Sequence, residues 1–260
     1  MICGLMMLNG ARAQHDSINY TDAKGLKQGK WVTTNKIHHK KYKEICYYKD
    51  NLRDSIRYYY YPNGNLVCRN YFKKGLRDGV CHQFMEDGTI DGIYIYKDDN
   101  LIWFMWFKEK GCPYFEQSAG DNRGILYENG KWCDTLHPPD TIAPNFTDAK
   151  GLKQGKWVEK DTVDGKIFKE IGYYKDGLED SIENYYYPNG ELNERTYFKK
   201  GVEDGVCHIF RKDGTISILL IYKDDNLIWE MKFNNEGCPL EEQSNGIGRV
   251  ILYENGKWKK

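Results

Sequence analysis

Charge imbalance, proline, long apolar runs and catalytic signatures are all scarce in this 260-residue chain, and each scarcity excludes something. Lys and Arg total 38 against 38 Asp and Glu, which does not describe a broadly basic nucleic-acid binder. No stretch reaches the roughly 18 consecutive apolar residues needed to span a bilayer as a helix, so no transmembrane segment is expected. With only 7 Pro and 40% hydrophobic residues, nothing compels disorder, and the chain can bury the core of one or two domains. The nucleophile elbow GxSxG, the phosphate loop, HExxH and the dinucleotide fingerprint GxGxxG do not occur. The expectation is therefore of no enzyme, no catalytic residue and no cofactor.

What is abundant is 21 Tyr, 7 Trp, 10 Phe and 26 Gly, a vocabulary of short aromatic strands punctuated by turns. Self-similarity organises it. The segment TDAKGLKQGKWV at Thr21–Val32 returns unchanged at Thr147–Val158, an offset of 126, and 20–132 aligns on 146–258 without a gap, with 74 identities in 113 positions. The organisation expected is a first repeat unit at 14–132 and a second at 146–260, joined by a stiff linker at 133–145 that holds three of the prolines. Inside each unit a shorter period marks Gly25-Leu26, Asn51-Leu52, Gly75-Leu76 and Asn100-Leu101, at steps of 26, 24 and 25. Each period holds a strand, a turn such as Pro62-Asn63-Gly64 or Glu86-Asp87-Gly88, and a second strand, which makes four β-hairpins per unit. Asn-Gly and Asp-Gly suit such turns because both central residues accept positive φ. Strands are predicted near 31–34, 44–49, 56–61, 66–73, 80–85, 90–97, 101–108 and 124–128, with equivalents 126 residues on. One hairpin cannot bury its own face, so the fold class is all-β, with tandem β-hairpin repeats forming elongated twisted antiparallel sheets.

The run Tyr60-Tyr61-Pro62-Asn63-Gly64-Asn65-Leu66 followed by Tyr71, Gly75 and Gly79, and its copy from Tyr186 to Gly205, resembles the MORN repeat variant of YwqK-family antitoxin-like proteins. The match covers most of both units and is weakest over 31–45 and 109–125. The resemblance implies a repeat scaffold that binds partners.

An apolar run from Ile2 to Leu8, closed by Ala11-Arg12-Ala13 before Gln14, reads as the end of a secretory signal, so 1–13 is a signal-peptide-like segment. The mature chain would then be periplasmic, cell-surface or extracellular. Of 8 Cys, Cys3 leaves with that segment, and only Cys81 with Cys207 and Cys112 with Cys238 recur between the units. Most read as small buried residues, with Cys112–Cys238 or Cys81–Cys207 pairing as the alternative.

The two units also act as each other's control. Trp103, Met105 and Phe107 recur as Trp229, Met231 and Phe233, whereas the alternating Phe104 and Trp106 become Glu230 and Lys232. Strand alternation assigns the unchanged side to the core and the changed side to solvent. Phe104 and Trp106, together with Tyr58 (Asn184 in the copy) and Phe115 (Glu241), are the candidate ligand- or partner-binding residues. The expected partner is another protein, and the alternative is a cell-envelope glycan stacked on the rings. Arg53, Arg57 and Arg77 are answered by Glu179, Glu183 and Glu203, and the net charge is +4 over 14–132 (19 basic, 15 acidic) and −5 over 133–260 (18 basic, 23 acidic), Arg12 making up the balance. This reversal predicts attraction between units, within a chain or by self-association between chains. His82 and His208 follow Cys81 and Cys207, but neighbours in a strand point to opposite faces, so they read as surface or half-buried histidines, not metal ligands. His38-His39, Asp98-Asp99 and Asp224-Asp225 read as solvated turns.

Overall fold

The computed structural model describes residues 18–108, 111–118, 124–128, 130–133, 144–244 and 250–259. The signal-like segment and most of the proline-rich linker lie outside the described residues. Each unit forms one antiparallel meander, the first a 12-stranded sheet from Tyr20–Thr21 to Lys131–Cys133, the second an 11-stranded sheet from Phe146–Thr147 to Lys257–Trp258. Strand order follows the sequence, apart from Leu76–Arg77, which pairs back onto Leu66–Lys73, and neither sheet closes into a barrel. The all-β hairpin architecture is as expected, but the hairpin Lys27–Ile37 with Lys40–Lys49 is longer than its apolar core implies, because cross-strand pairs such as Asn35 with Tyr42 extend the ladder into polar sequence. The strand Pro113–Ser118 was not foreseen, since Glu116 breaks the apolar alternation on the inner side.

Two kinds of turn alternate. At Asp50-Asn51 (φ 50° and 68°) and Asp98-Asp99 (φ 48° and 65°) both central residues are left-handed, which matches the right-handed twist of the flanking strands. His38-His39 and Asp224-Asp225 form the same turn, as the solvated-turn reading anticipated. Pro62-Asn63-Gly64 differs from the expectation of two left-handed residues. Only Gly64 has positive φ (87°), its N–H donates to the Tyr61 carbonyl at 2.9 Å, and Tyr61 N–H donates to the Asn65 carbonyl at 2.8 Å. Proline fixes a right-handed start and leaves the positive φ to glycine alone.

The inner faces of the two sheets share one core. Ile93, Ile95, Trp103, Met105 and Phe107 of the first unit pack with Leu219, Ile221, Trp229, Met231 and Phe233 of the second, all essentially inaccessible to water. Each such side chain contributes roughly 1.5–3 kcal/mol of transfer free energy. Cross-sheet contacts occur in pairs offset by 126: Ile90 N–H donates to the Gly256 carbonyl at 2.8 Å and Ile216 N–H to that of Gly130 at 2.9 Å. The bridges Thr89 with Lys257 and Lys131 with Thr215 repeat the relation. Cys112 forms a disulfide with its own equivalent, Cys238, so a pseudo-two-fold axis passes by that bond, and the interface is isologous. The alternative cysteine pairing does not form: Cys81 and Cys207 are free and buried, each on the outer side of its strand.

Candidate binding surface and the cross-sheet charge network

The outer face of the first sheet carries an aromatic cluster. Strand Asn100–Phe107 sits between Ile90–Lys97 and Pro113–Ser118, with Phe104 opposite Tyr94 and Trp106 opposite Phe115. Because Trp103, Met105 and Phe107 alternate inward, Phe104 and Trp106 must point outward. Ring centroids lie 5.0 Å apart for Phe104–Trp106, 5.4 Å for Trp106–Phe115 and 5.8 Å for Phe104–Phe115. Tyr94 stacks on Phe104 at 6.2 Å, Tyr114 approaches Trp106 at 6.3 Å, and the indole Nε1–H of Trp106 donates to the Tyr94 hydroxyl at 3.2 Å. Trp106 remains 37% exposed, and the neighbouring Leu126, opposite Phe115, is 53% exposed. In the second sheet the same backbone carries Glu230, Lys232 and Glu241, with the Lys232 ammonium 2.7 Å from Glu241 and 3.6 Å from Glu230. One sheet thus presents rings where the other presents a salt-bridge network.

Three of the four aromatic candidates, Phe104, Trp106 and Phe115, therefore meet. Tyr58 does not join them. It is paired with Arg69 and stacks 6.3 Å from Tyr60 on the inner side, against the core, because the strand Leu52–Tyr60 alternates Ile56, Tyr58 and Tyr60 inward. Tyr94 and Tyr114 are the members that sequence reading missed. Their counterparts are Leu220 and Leu240, a difference that keeps the positions apolar and so escapes a search for changed polarity.

The arginines and glutamates proposed to attract one another across the units find their described partners within their own sheets. Arg57 Nε donates to Glu44 at 2.6 Å, with Arg53 3.7 Å from the same carboxylate, and Arg77 Nε donates to Asp99 at 2.9 Å while lying 3.9 Å above the Tyr96 ring. Glu179 accepts from the Tyr174 hydroxyl at 3.4 Å, and the Glu203 backbone N–H donates to Asp225 at 2.6 Å. Glu183 stands near Glu170, Glu179 and Glu194, and burial together with Glu170 pushes its carboxyl up to about 7. These contacts join laterally neighbouring strands of one sheet, so the described partners of both the arginines and the glutamates lie along their own sheet.

Charge does cross the interface elsewhere. His82 Nε2 lies 2.6 Å from the Glu242 carboxylate, and Arg69 Nη2 donates to the other oxygen of the same group. The copy repeats it, with His208 Nε2 2.6 Å from Glu116. Both histidines are fully buried, which corrects the reading of them as surface or half-buried; the opposing sheet covers them and supplies the carboxylate. Burial drives the His82 imidazole below its usual range. Burial alone would raise Glu242, but His82 and Arg69 hold it at about 2. Trp258 of the second unit caps the group, 5.4 Å from the Arg69 guanidinium and 6.2 Å from the Phe84 ring. The signal available in the sequence was retention of Arg69, His82 and Glu116 as Arg195, His208 and Glu242. Among the described residues no cluster of His, Cys, Asp and Glu is placed to hold a metal ion.

Compared with known proteins, the chain matches no protein-family model and no curated protein.

Proposed function

We propose that this chain is a non-catalytic exported scaffold of the MORN-variant kind, which binds a protein partner through the aromatic cluster of its first sheet. The supporting observation is the contrast between Phe104, Trp106 and Phe115 and the Glu230, Lys232 and Glu241 that occupy the same backbone in the second sheet. Clustered Trp and Tyr on a rigid sheet supply large contact area at low entropic cost, as at the centres of protein interfaces. Two details favour a protein over a glycan. The rings are tilted 36° to 44° from one another and so do not form the flat platform that a sugar face stacks on, and the indole N–H of Trp106, a donor that a sugar hydroxyl would use, is taken by Tyr94. Export rests on the Ala11-Arg12-Ala13 pattern.

The test transplants one sheet's chemistry onto the other. A variant with Phe104→Glu, Trp106→Lys and Phe115→Glu carries side chains already compatible with this backbone in the second unit, and its unfolding free energy should change by no more than about 1 kcal/mol. Capture of a specific protein from the native cell envelope should be lost in the triple variant. Capture undiminished by the substitutions, or specific binding to envelope polysaccharide in its place, overturns the reading.

A further inference from the structure

The pseudo-two-fold axis also passes through a cleft of about 810 Å³ between the sheets, in the range of small-molecule sites, roughly 300–1,000 Å³. Its walls come from both units in equivalent pairs: Tyr71 with Tyr197, Ile95 with Ile221, and Ile102 with Ile228. The cleft opens to solvent at its rim and is lined more by apolar than by polar surface, so an apolar molecule can enter it from water. The identity of the two units extends beyond the apolar walls to the polar rim. Asp78 and Lys97 recur as Asp204 and Lys223, and Ser118 recurs as Ser244. The rim charges are neutralised in place: Lys97 Nζ lies 2.7 Å from Asp78 and Lys223 Nζ 2.5 Å from Asp204. An ionised ligand would meet a balanced pair from each unit and would have to break one to find a counter-charge. An uncharged molecule meets apolar walls with tyrosine and serine hydroxyls at its margins.

We propose that this cleft is a ligand site for a single uncharged, predominantly apolar small molecule, lying on the pseudo-two-fold axis and contacted equally by both units. It is separate from the outer aromatic cluster, which faces away from the inter-sheet space. The lining favours a molecule with an apolar body against the isoleucine and tyrosine walls and hydrogen-bonding groups toward the polar rim.

Two probes that share an arylamine-naphthalene body but differ in charge test it: neutral N-phenyl-1-naphthylamine and anionic 8-anilinonaphthalene-1-sulfonate. The neutral probe should show saturable fluorescence enhancement at one molecule per chain, with the anionic probe bound at least about tenfold more weakly. Filling the cleft with Ile102→Trp and Ile228→Trp should abolish the signal, whereas the outer-face variant Phe104→Glu, Trp106→Lys, Phe115→Glu should bind the neutral probe as the parent does. On the unmodified chain, isoleucine methyl resonances of Ile95, Ile102, Ile221 and Ile228 should shift on titration, a readout that does not depend on the filled variant folding. The proposal is overturned by equal or tighter binding of the anionic probe, by absence of saturable binding, by methyl shifts that bypass these four residues, or by loss of binding in the outer-face variant. That last outcome would move the probe to the surface cluster and leave the protein-partner reading untouched.

Discussion

At Glu183 the second unit places a carboxylate where the first has Arg57, and the two sites obey opposite electrostatics. Arg57 satisfies Glu44, whereas Glu183 crowds Glu170 and keeps its proton up to about pH 7. An unfolded glutamate releases its proton near pH 4.3. The folded-state value is raised, so the contribution of this group to stability is present below about pH 4.3 and is lost as pH rises toward 7. Glu183→Arg should therefore stabilise the protein at pH 8, by about 1 kcal/mol given partial solvent screening, and the gain should shrink at pH 4, where Glu183 itself is protonated and no longer repels its carboxylate neighbours. Urea unfolding at the two pH values checks this; a gain independent of pH contradicts it. Such residue-level differences were legible only as lists of substitutions. Phe104, Trp106 and Phe115 could be picked because aromatic became charged, while Tyr58 changed to Asn184 for reasons of the inner face, where Asn184 is itself buried.

Single turns reach across the molecule. Gly237 has φ 74°, and a Cβ built there would stand 2.6 Å from the Gly130 Cα of the other unit; Gly130 is equally confined, with a Cβ 2.5 Å from the Glu236 carbonyl oxygen. Gly190 has φ 88° in the hairpin loop after Tyr187, with nothing within 4 Å. Gly190→Ala should cost about 1 kcal/mol for backbone strain alone, whereas Gly237→Ala should cost at least about 3 kcal/mol because the opposing backbone must move as well. Thermal unfolding of both variants measures the difference, and equal losses would mean that the two units do not approach so closely in solution. The turn glycines and the 25-residue rhythm were readable because turn chemistry is local. The strand Pro113–Ser118 was not, since Glu116 looks like a surface residue until the second sheet presents His208 to it.

For the molecule as a whole, stability is tied to the buried groups between the sheets. Glu242 sits at about 2 in the folded state, below its unfolded value, so its contribution is present above about pH 4.3 and is lost as pH falls toward 2. His82, lowered by burial, acts in the same direction below about pH 6.5, where the unfolded chain takes up a proton that the folded one refuses. Unfolding free energy should thus decline below about pH 4.3, where the opposite contribution of Glu183 is already complete. Glu242→Gln should cost about 3–5 kcal/mol at pH 7 by leaving Arg69 buried without its counter-charge, and should flatten the decline between pH 4.3 and 2. A variant that keeps the parental slope in that interval would place the acid sensitivity elsewhere. The disulfide Cys112–Cys238 ties the same interface covalently, and in the chain-entropy account closing a loop this long contributes about 4–5 kcal/mol.

The sequence by itself determined that the chain is a duplicated β-hairpin meander, which residues turn, and which side of Trp103–Phe107 faces a core, because strand periodicity and turn preferences act over a few residues. It left open what covers that core. Hydrophobic burial is non-directional, and an apolar sheet face can be covered by a linker, by another chain or by its own duplicate. Only the tertiary structure decided for the duplicate, through contacts between residues about 106 to 173 apart in sequence: the glycine approaches, the Cys112–Cys238 bond and the Arg69–His82–Glu242 group. The same arrangement left the aromatic cluster outside and formed the symmetric, solvent-open cleft between the sheets.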